Sequence, residues 1–419
     1  MKEIVVSKTD KVLKATIRLP ASKSISNRLL ILRALIDRDF KINNLSTAED
    51  SLLLGSLLEK IMAQKGPGQL VELDTHNAGS VMRFLTAFLA LRPGKWVITG
   101  DERMRKRPIG VLVDGLKPLG ANIDYLAKLG YPPILIKGTT LKGREVVIDP
   151  GISSQFVSAL IMIGPTLPGG LTLHMAGHPV SQPYIDMTIR IMKSFGVNII
   201  RERSYISIPE TIPEPHDFTV EPDWSAAAFW YEAAALADDV DLFLPGLTEE
   251  SLQGDSVLAV IFENLGVHSE FSKEGVRLTR KPLELNNFAF SFSDHPDIAS
   301  TVITTCAALG MEGKFDGLKS LMIKESDRLQ ALRNELPKLN IHPDAETPDA
   351  ANPKIEFSPG LMHASGEISI ETYGDHRIAM TFAPLALKLG SITIKDPDVV
   401  IKSYPQYWED MQLAGFKLL

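Results

Sequence analysis

Lys23, Ser24 and Arg28 crowd the start of ASKSISNRLLILRALI, where a loop passes into an apolar helix. Cations at a helix start oppose its dipole at roughly 0.3–1 kcal/mol each. An anion held by free N–H groups together with Lys23, Ser24 and Arg28 would offset that cost. NAGSVMRFLTAFLAL repeats the pattern, with Gly79 letting backbone N–H groups come close to a ligand. DERMRKRPIG sets Arg103, Arg105, Lys106 and Arg107 before Pro108, a favoured first helical residue. Arg107, nearest the expected helix start, is the one read as pointing inward. Ser153, Ser154 and Gln155 precede a further apolar helix, where they suit uncharged contacts to phosphate oxygens or plain N-capping. Ser181 and Tyr184 in VSQPYIDM add a hydroxyl and a flat ring that could lie against a sugar-like ring.

The second half carries the same chemistry. In IKESDRLQALRNEL the spacing of Lys324 and Arg328 predicts one helix face. Like charges so placed repel, which suits either a bound anion or a salt-bridged helix using Glu325 and Asp327. Glu325 beside them could titrate. YGDHRIAM places His376 and Arg377 at a helix entrance, and Lys402 precedes the aromatic helix start of IKSYPQYWEDM. Asp297, at the mouth of the apolar run IASTVITT, reads as a helix cap or a general base, with Asp294 close by. No metal-ligand spacing occurs among the nine histidines; HExxH, CxxC, GxxxxGK[ST] and GxGxxG are all missing. No metal or nucleotide cofactor is expected.

The elements that must hold these residues show a repeat. An amphipathic helix ends at Gly120, Gly196, Gly266, Asn340 or Gly415 and a short strand follows, at intervals of 76, 70, 74 and 75 residues. The residue past a helix end takes the left-handed conformation, free for Gly and next easiest for Asn. About six such units fit the chain. The N-terminal one, with Gly66 or Gly68 as its cap, is shortened. The chain's 419 residues exceed one ordinary core, so two domains of three units are expected: residues 1–20 with 221–419, and an inserted 21–220. Composition is that of a globular chain, with 44% hydrophobic and 23% charged residues. The net charge of -7 argues against a broad nucleic-acid surface, so any anion must meet a local basic cluster. A single cysteine, Cys306, excludes an internal disulfide and points to a reducing compartment. MKEIVVSKTDKVLK lacks a signal-peptide core, and IASTVITTCAALG is too short and Thr-rich to span a bilayer. A cytoplasmic monomer without membrane or nucleic-acid partners is expected.

Taken in order, ASKSISNR, NAGSVMR, RMRKRPIG, SSQF, VSQPYID, KESDR, GDHRIAM and the final K-S-Y-P resemble the 3-phosphoshikimate 1-carboxyvinyltransferase (EPSP synthase) family over essentially the whole chain. The resemblance implies an α/β enolpyruvyl transferase fold, two domains of three βαβαββ units each, with the active site in the cleft between them. It implies carboxyvinyl transfer from phosphoenolpyruvate to the 5-hydroxyl of shikimate 3-phosphate, with release of phosphate, in aromatic amino acid biosynthesis. Lys23, Gly79, Arg107, Gln155 and Lys402 would surround the phosphate of phosphoenolpyruvate, and Arg328 and Arg377 its carboxylate. Ser24 and Arg28 would take the shikimate carboxylate; Ser153, Ser154, Gln155 and Ser181 its phosphate; Tyr184 the ring. Asp297 and Lys324 would reach the attacking hydroxyl, with Lys23, Asp297 and Glu325 catalytic. Ser320 stands where many members have Asn, as a further substrate contact. The segment between Asp50 and Asn77 is shorter than in the family. Gly79 implies sensitivity to glyphosate. A sister family that transfers the same group to a UDP-sugar uses a loop cysteine, whereas Cys306 lies in an apolar helix run. A non-catalytic anion-binding protein of the same fold would keep the arginines but need neither Asp297 nor Glu325.

Overall fold

Buried positions alternate along the short strands and run unbroken along several helices, and this difference sorts the chain into half-exposed sheets and fully enclosed helices. The computed structural model describes residues 2–36, 38–64, 68–177, 179–283, 286–344, 352–363 and 366–419. Contacts divide the chain into two units, Met1–Ser22 with Glu221–Leu419, and Lys23–Val220. Six sheets are present among the described residues, three in each unit.

The sheets share one pattern. In the first unit Val12–Thr16 runs parallel to Asp239–Pro245, which pairs antiparallel with Gly275–Arg280, itself antiparallel to Val267–Phe271. Ser369–Ile370, Ser391–Lys395, Glu3–Ser7 and Lys417–Leu418 repeat this order, and Asn287–Ser291, Glu312–Asp316 and Ile355–Phe357 supply three of its four strands. In the second unit it recurs as Leu70–Asp74, Gly94–Thr99, Ile134–Gly138 and Asn122–Tyr125, and again as Glu145–Ile148, Leu171–Met175, Tyr205–Ile208 and Ile200–Arg201. The α/β fold of six units is therefore present, and Ile42–Asn43 beside Phe218–Thr219 is the reduced sheet. Parallel neighbours need a crossover. Gly79–Leu91, Ser154–Ile163, Ala299–Ala308 and His376–Phe382 lie on those crossovers and are buried along nearly every residue. Trp224–Leu236, also buried on all faces, packs with Ala299–Ala308 in the first unit's core.

The repeat seen in the sequence is a chain of helix ends. Gly120, Gly196, Gly266, Asn340 and Gly415 all adopt left-handed backbone, with φ of 103°, 82°, 84°, 62° and 85°. The shortened unit departs from it. The helix Glu49–Met62 ends on Ala63 in right-handed backbone, Gly68 has no positive φ, and Gly66 lies outside the described residues. The next described element is Leu70–Asp74, a strand of the next sheet.

Candidate functional site

In the second unit Lys23, Gly79, Ser153, Ser154, Gln155, Ser181 and Tyr184 sit at or beside helix starts, Arg28 lies one turn further in, and Arg107 lies in the loop before Pro108. Lys23 opens Lys23–Ile36, and its Nζ lies 2.9 Å from Oδ2 of Asp50 in the first turn of Glu49–Met62. One turn on, Asn27 Nδ2 donates to Ser80 Oγ at 2.9 Å, tying that helix to the start of Gly79–Leu91. Gly79 is wedged between two guanidinium groups: a Cβ there would stand 2.4 Å from Arg83 Nη1 and 2.5 Å from Arg107 Nη2. Arg107 is buried, and its Nη1 donates to the carbonyl and the side-chain oxygen of Asn77 at 3.0 and 3.1 Å. Arg83 reaches Gln155 Oε1 at 2.9 Å and the Pro108 carbonyl at 3.2 Å. Pro108 itself precedes its helix, which begins at Gly110.

Arg28 is a buried cation whose described partners are all neutral. Nε donates to Thr188 Oγ1 at 2.7 Å, Nη1 to the Ser24 carbonyl at 2.8 Å, and Nη2 to Ser158 Oγ and the Tyr184 carbonyl at 3.2 and 3.1 Å. Desolvation lowers its pKa to about 10. A buried positive charge without a carboxylate beside it favours an anion nearby. Ser153 caps Ser154–Ile163 by accepting from the Gln155 N–H at 3.3 Å. Ser181 also precedes a helix, Gln182–Ser194, but its hydroxyl makes no capping bond and its backbone is left-handed.

The first unit gathers a denser cluster. Asp297 Oδ1 lies 3.2 Å from Lys324 Nζ and 3.3 Å from Arg328 Nη1, while Oδ2 lies 3.4 Å from Arg377 Nη2. Arg377 Nη1 also donates to the Asp297 carbonyl at 2.9 Å. Arg328, 1% exposed, holds Glu325 at 2.7 Å and Asp375 at 2.8 Å. Asp375 caps His376–Phe382 by accepting from the Arg377 N–H at 2.9 Å, and accepts from Ser326 Oγ at 3.0 Å. Lys402 is buried at the end of Pro397–Lys402, a segment packed on that helix. Ser320 Oγ is buried and has no hydrogen-bond partner among the described residues.

Burial opposes the charge on Arg328, but Asp375, Glu325 and Asp297 together outweigh it and raise its pKa. Burial alone would raise Asp375; Arg328 and His376 carry it below the usual carboxylate range instead. Lys324 is pushed down, first by burial and then by the neighbouring Arg328, with Asp297 acting against both. Its ammonium therefore gives up a proton more readily than an exposed lysine.

Two further expectations change. Lys324 and Arg328 do not share a helix face: Lys324 is extended, and Arg328–Glu335 starts only after Asp327, whose carboxylate accepts from the Gln330 N–H at 3.0 Å. That cap fixes the helix start at Arg328, and the two cations meet through Asp297. Asp297 is not a cap either, since its carboxylate turns to the cations and Ala299–Ala308 has no side-chain cap. Three contributors were absent from the sequence reading. Arg83 lies in NAGSVMR four residues after Gly79, a spacing that signals a shared face. Asp375 directly precedes His376 in GDHR. Asp50 gives no local signal. Among the described residues no group of three His, Cys, Asp or Glu could hold a metal ion.

Comparison with known proteins gives concordant matches. The family model described as EPSP synthase (3-phosphoshikimate 1-carboxyvinyltransferase) matches residues 7–411. A 3-phosphoshikimate 1-carboxyvinyltransferase of Bacteroides fragilis is 43% identical over 411 residues, 96% of each chain. One from Sulfurovum is 37% identical over 418 residues, covering 94% of this chain and 95% of its own. A solved EPSP synthase from Acinetobacter baumannii superposes with a TM-score of 0.75 over 100% of both chains, at 22% identity.

Proposed function

The chain belongs to the EPSP synthase family, and on that premise we propose that its two clusters serve a single carboxyvinyl transfer. The reaction moves the carboxyvinyl group of phosphoenolpyruvate to the 5-hydroxyl of shikimate 3-phosphate and releases phosphate, a step of the shikimate pathway towards the aromatic amino acids. Both substrates are small anions that repel each other. A cation a few ångströms from one of them contributes about 4 kcal/mol before desolvation, at an effective dielectric near 20.

The observation that carries this reading is the bridge Arg328–Asp297–Arg377. Here a carboxylate spans two guanidinium groups, 3.3 Å from one and 3.4 Å from the other. Planar guanidinium pairs suit a carboxylate in two-point contact. Phosphoenolpyruvate places its own carboxylate against Arg328 and Arg377, which frees Asp297 to face the incoming hydroxyl. The hydroxyl oxygen then bonds to the phosphate-bearing carbon, its proton passing to Asp297, while a proton from Glu325 reaches the terminal methylene and makes it a methyl. Loss of phosphate and of one methyl proton from that tetrahedral adduct restores the double bond. Lys324 shares the Asp297 oxygen and steadies the hydroxyl as its proton leaves.

The remaining roles follow the same logic. Lys23, Gly79, Arg107, Gln155 and Lys402 take the phosphate of phosphoenolpyruvate, and the Gly79 backbone can approach it because no side chain intervenes. Ser24 and Arg28 take the shikimate carboxylate, for which Arg28 is the buried cation lacking an acidic neighbour among the described residues. Ser153, Ser154, Gln155 and Ser181 take the shikimate phosphate, Tyr184 faces the ring, and Ser320 offers an unengaged hydroxyl. The lone Cys306 is buried and desolvation pushes its thiol up, so it is an inert core group, and a chain that can form no internal disulfide fits the reducing cytoplasm.

Phosphate release tests the reading. Turnover should require phosphoenolpyruvate and shikimate 3-phosphate together and should fail with a UDP-sugar in place of the latter. Turnover with the UDP-sugar, or tight binding of both anions without any release, would exclude it.

A further inference from the structure

The turn that delivers Asp375 and Arg377 is held from behind by groups the reaction does not use. Thr372 accepts from the Asp375 N–H at 2.9 Å, and the two residues between them, Tyr373 and Gly374, have φ of 55° and 67°. Glycine adopts such backbone freely, whereas for tyrosine it is strained and persists only where the surroundings over-determine it. The surroundings here are the far end of the helix Arg328–Glu335. Tyr373 OH donates to Glu335 Oε1 at 2.6 Å and accepts from Asn334 Nδ2 at 3.2 Å. Glu335 is 1% exposed, and its other oxygen accepts from Lys338 Nζ at 2.6 Å and from the Glu371 N–H at 3.3 Å. Lys338 in turn donates to the Ser369 carbonyl at 3.0 Å.

One helix therefore grips the turn at both ends. Its first residue, Arg328, holds Asp375, and its last, Glu335, holds Tyr373. We propose that Tyr373, anchored by Glu335, is a positioning residue for recognition of the phosphoenolpyruvate carboxylate: it fixes the turn that sets Arg328 and Arg377 at one spacing across Asp297. Neither Tyr373 nor Glu335 touches the reactants. The inference rests on the assignment of Arg328 and Arg377 to that carboxylate and adds the device that keeps them in register. Releasing the tyrosine hydroxyl lets the turn relax towards ordinary backbone, and Asp375 then no longer orients both arginines at once.

The experiment compares Tyr373→Phe and Glu335→Gln with the parent chain by steady-state phosphate release at 25 °C, varying each substrate in turn, alongside thermal unfolding. Tyr373→Phe should raise KM for phosphoenolpyruvate by up to about tenfold, less than the full worth of one hydrogen bond to a charged acceptor because the arginines feel its loss only through the turn. KM for shikimate 3-phosphate and kcat should stay within about twofold. Glu335→Gln loses the charge but keeps one acceptor oxygen, so it should act in the same direction and no more strongly. Added to Tyr373→Phe it should raise KM for phosphoenolpyruvate no further, because both act on it through the one Tyr373–Glu335 bond. A lower melting temperature with unchanged KM for phosphoenolpyruvate would show a mere strut and overturn the proposal, as would an equal rise in both KM values. If Glu335→Gln does not fold, Tyr373→Phe, which removes a single oxygen, decides the matter. A parent chain that releases no phosphate overturns the functional reading and this inference with it, whereas an active parent with an unaltered Tyr373→Phe removes this inference alone.

Discussion

Asp297 is surrounded by Lys324, Arg328 and Arg377, so removing its carboxylate frees cations as well as deleting a proton acceptor. Asp297→Ala should therefore keep or tighten phosphoenolpyruvate binding while kcat falls by about 10²–10⁴. Calorimetry paired with phosphate release checks both halves, and a near-normal rate would remove Asp297 as the base. Gly79 argues from the opposite direction, through the space a side chain would need. In Gly79→Ala the new methyl must displace the tips of Arg83 and Arg107, both flexible ends rather than backbone. The protein should fold, with weaker phosphoenolpyruvate binding and weaker inhibition by glyphosate; inhibition curves identical to those of the parent would count against crowding at this position. Residue types and local spacing made most of these groups visible in the sequence. Asp50 and Asp375 were not, because an acid that orients a cation is known by its partner, and Lys23 and Arg328 reach them only once the chain has folded.

Helix ends were the most legible elements. A left-handed residue after a helix is chosen by local sterics, and all five cap positions have it. Asn340 offers the test, since its φ of 62° tolerates Asn and Gly but strains a branched side chain. Asn340→Gly should leave stability within about 0.5 kcal/mol, and Asn340→Val should lower it by about 1–2 kcal/mol. Urea unfolding of the pair gives the difference, and equal midpoints would show that the cap is not stressed. Helix starts were harder to read. The i, i+4 spacing of Lys324 and Arg328 looked helical, yet Asp327 satisfies the first N–H groups and begins the helix between them. A capping side chain competes with continuation of the helix, and spacing alone does not show which prevails.

Across the whole molecule, the six-unit order followed from period and length, whereas the reduced sheet of Ile42–Asn43 and Phe218–Thr219 had no signal in four residues of sequence. Stability carries one cost that no motif announces. Glu232 is fully buried in Trp224–Leu236, where only the Thr305 side chain offsets the burial of its carboxyl group. Burial pushes its pKa well up, so the folded chain keeps a proton that the unfolded chain gives away. The raised value favours the fold below the ordinary carboxylate pKa of about 4.3, and that contribution is lost as pH climbs through the elevated value. Glu232→Gln should accordingly gain about 1 kcal/mol over the parent at pH 8, with the gap narrowing towards pH 4. A gap independent of pH would mean that Glu232 does not titrate on unfolding.

The strand order has a consequence for how the protein is made. Glu3–Ser7 is made long before its neighbours, Ser391–Lys395 and Lys417–Leu418. Val12–Thr16 likewise waits for Asp239–Pro245. At roughly 5–20 residues per second, the opening strands stay without partners for tens of seconds while Lys23–Val220 emerges as one uninterrupted stretch and can collapse on itself. Strands made before their partners are thus late to find their place, and during that interval their bare edges are exposed to whatever else the cell is making.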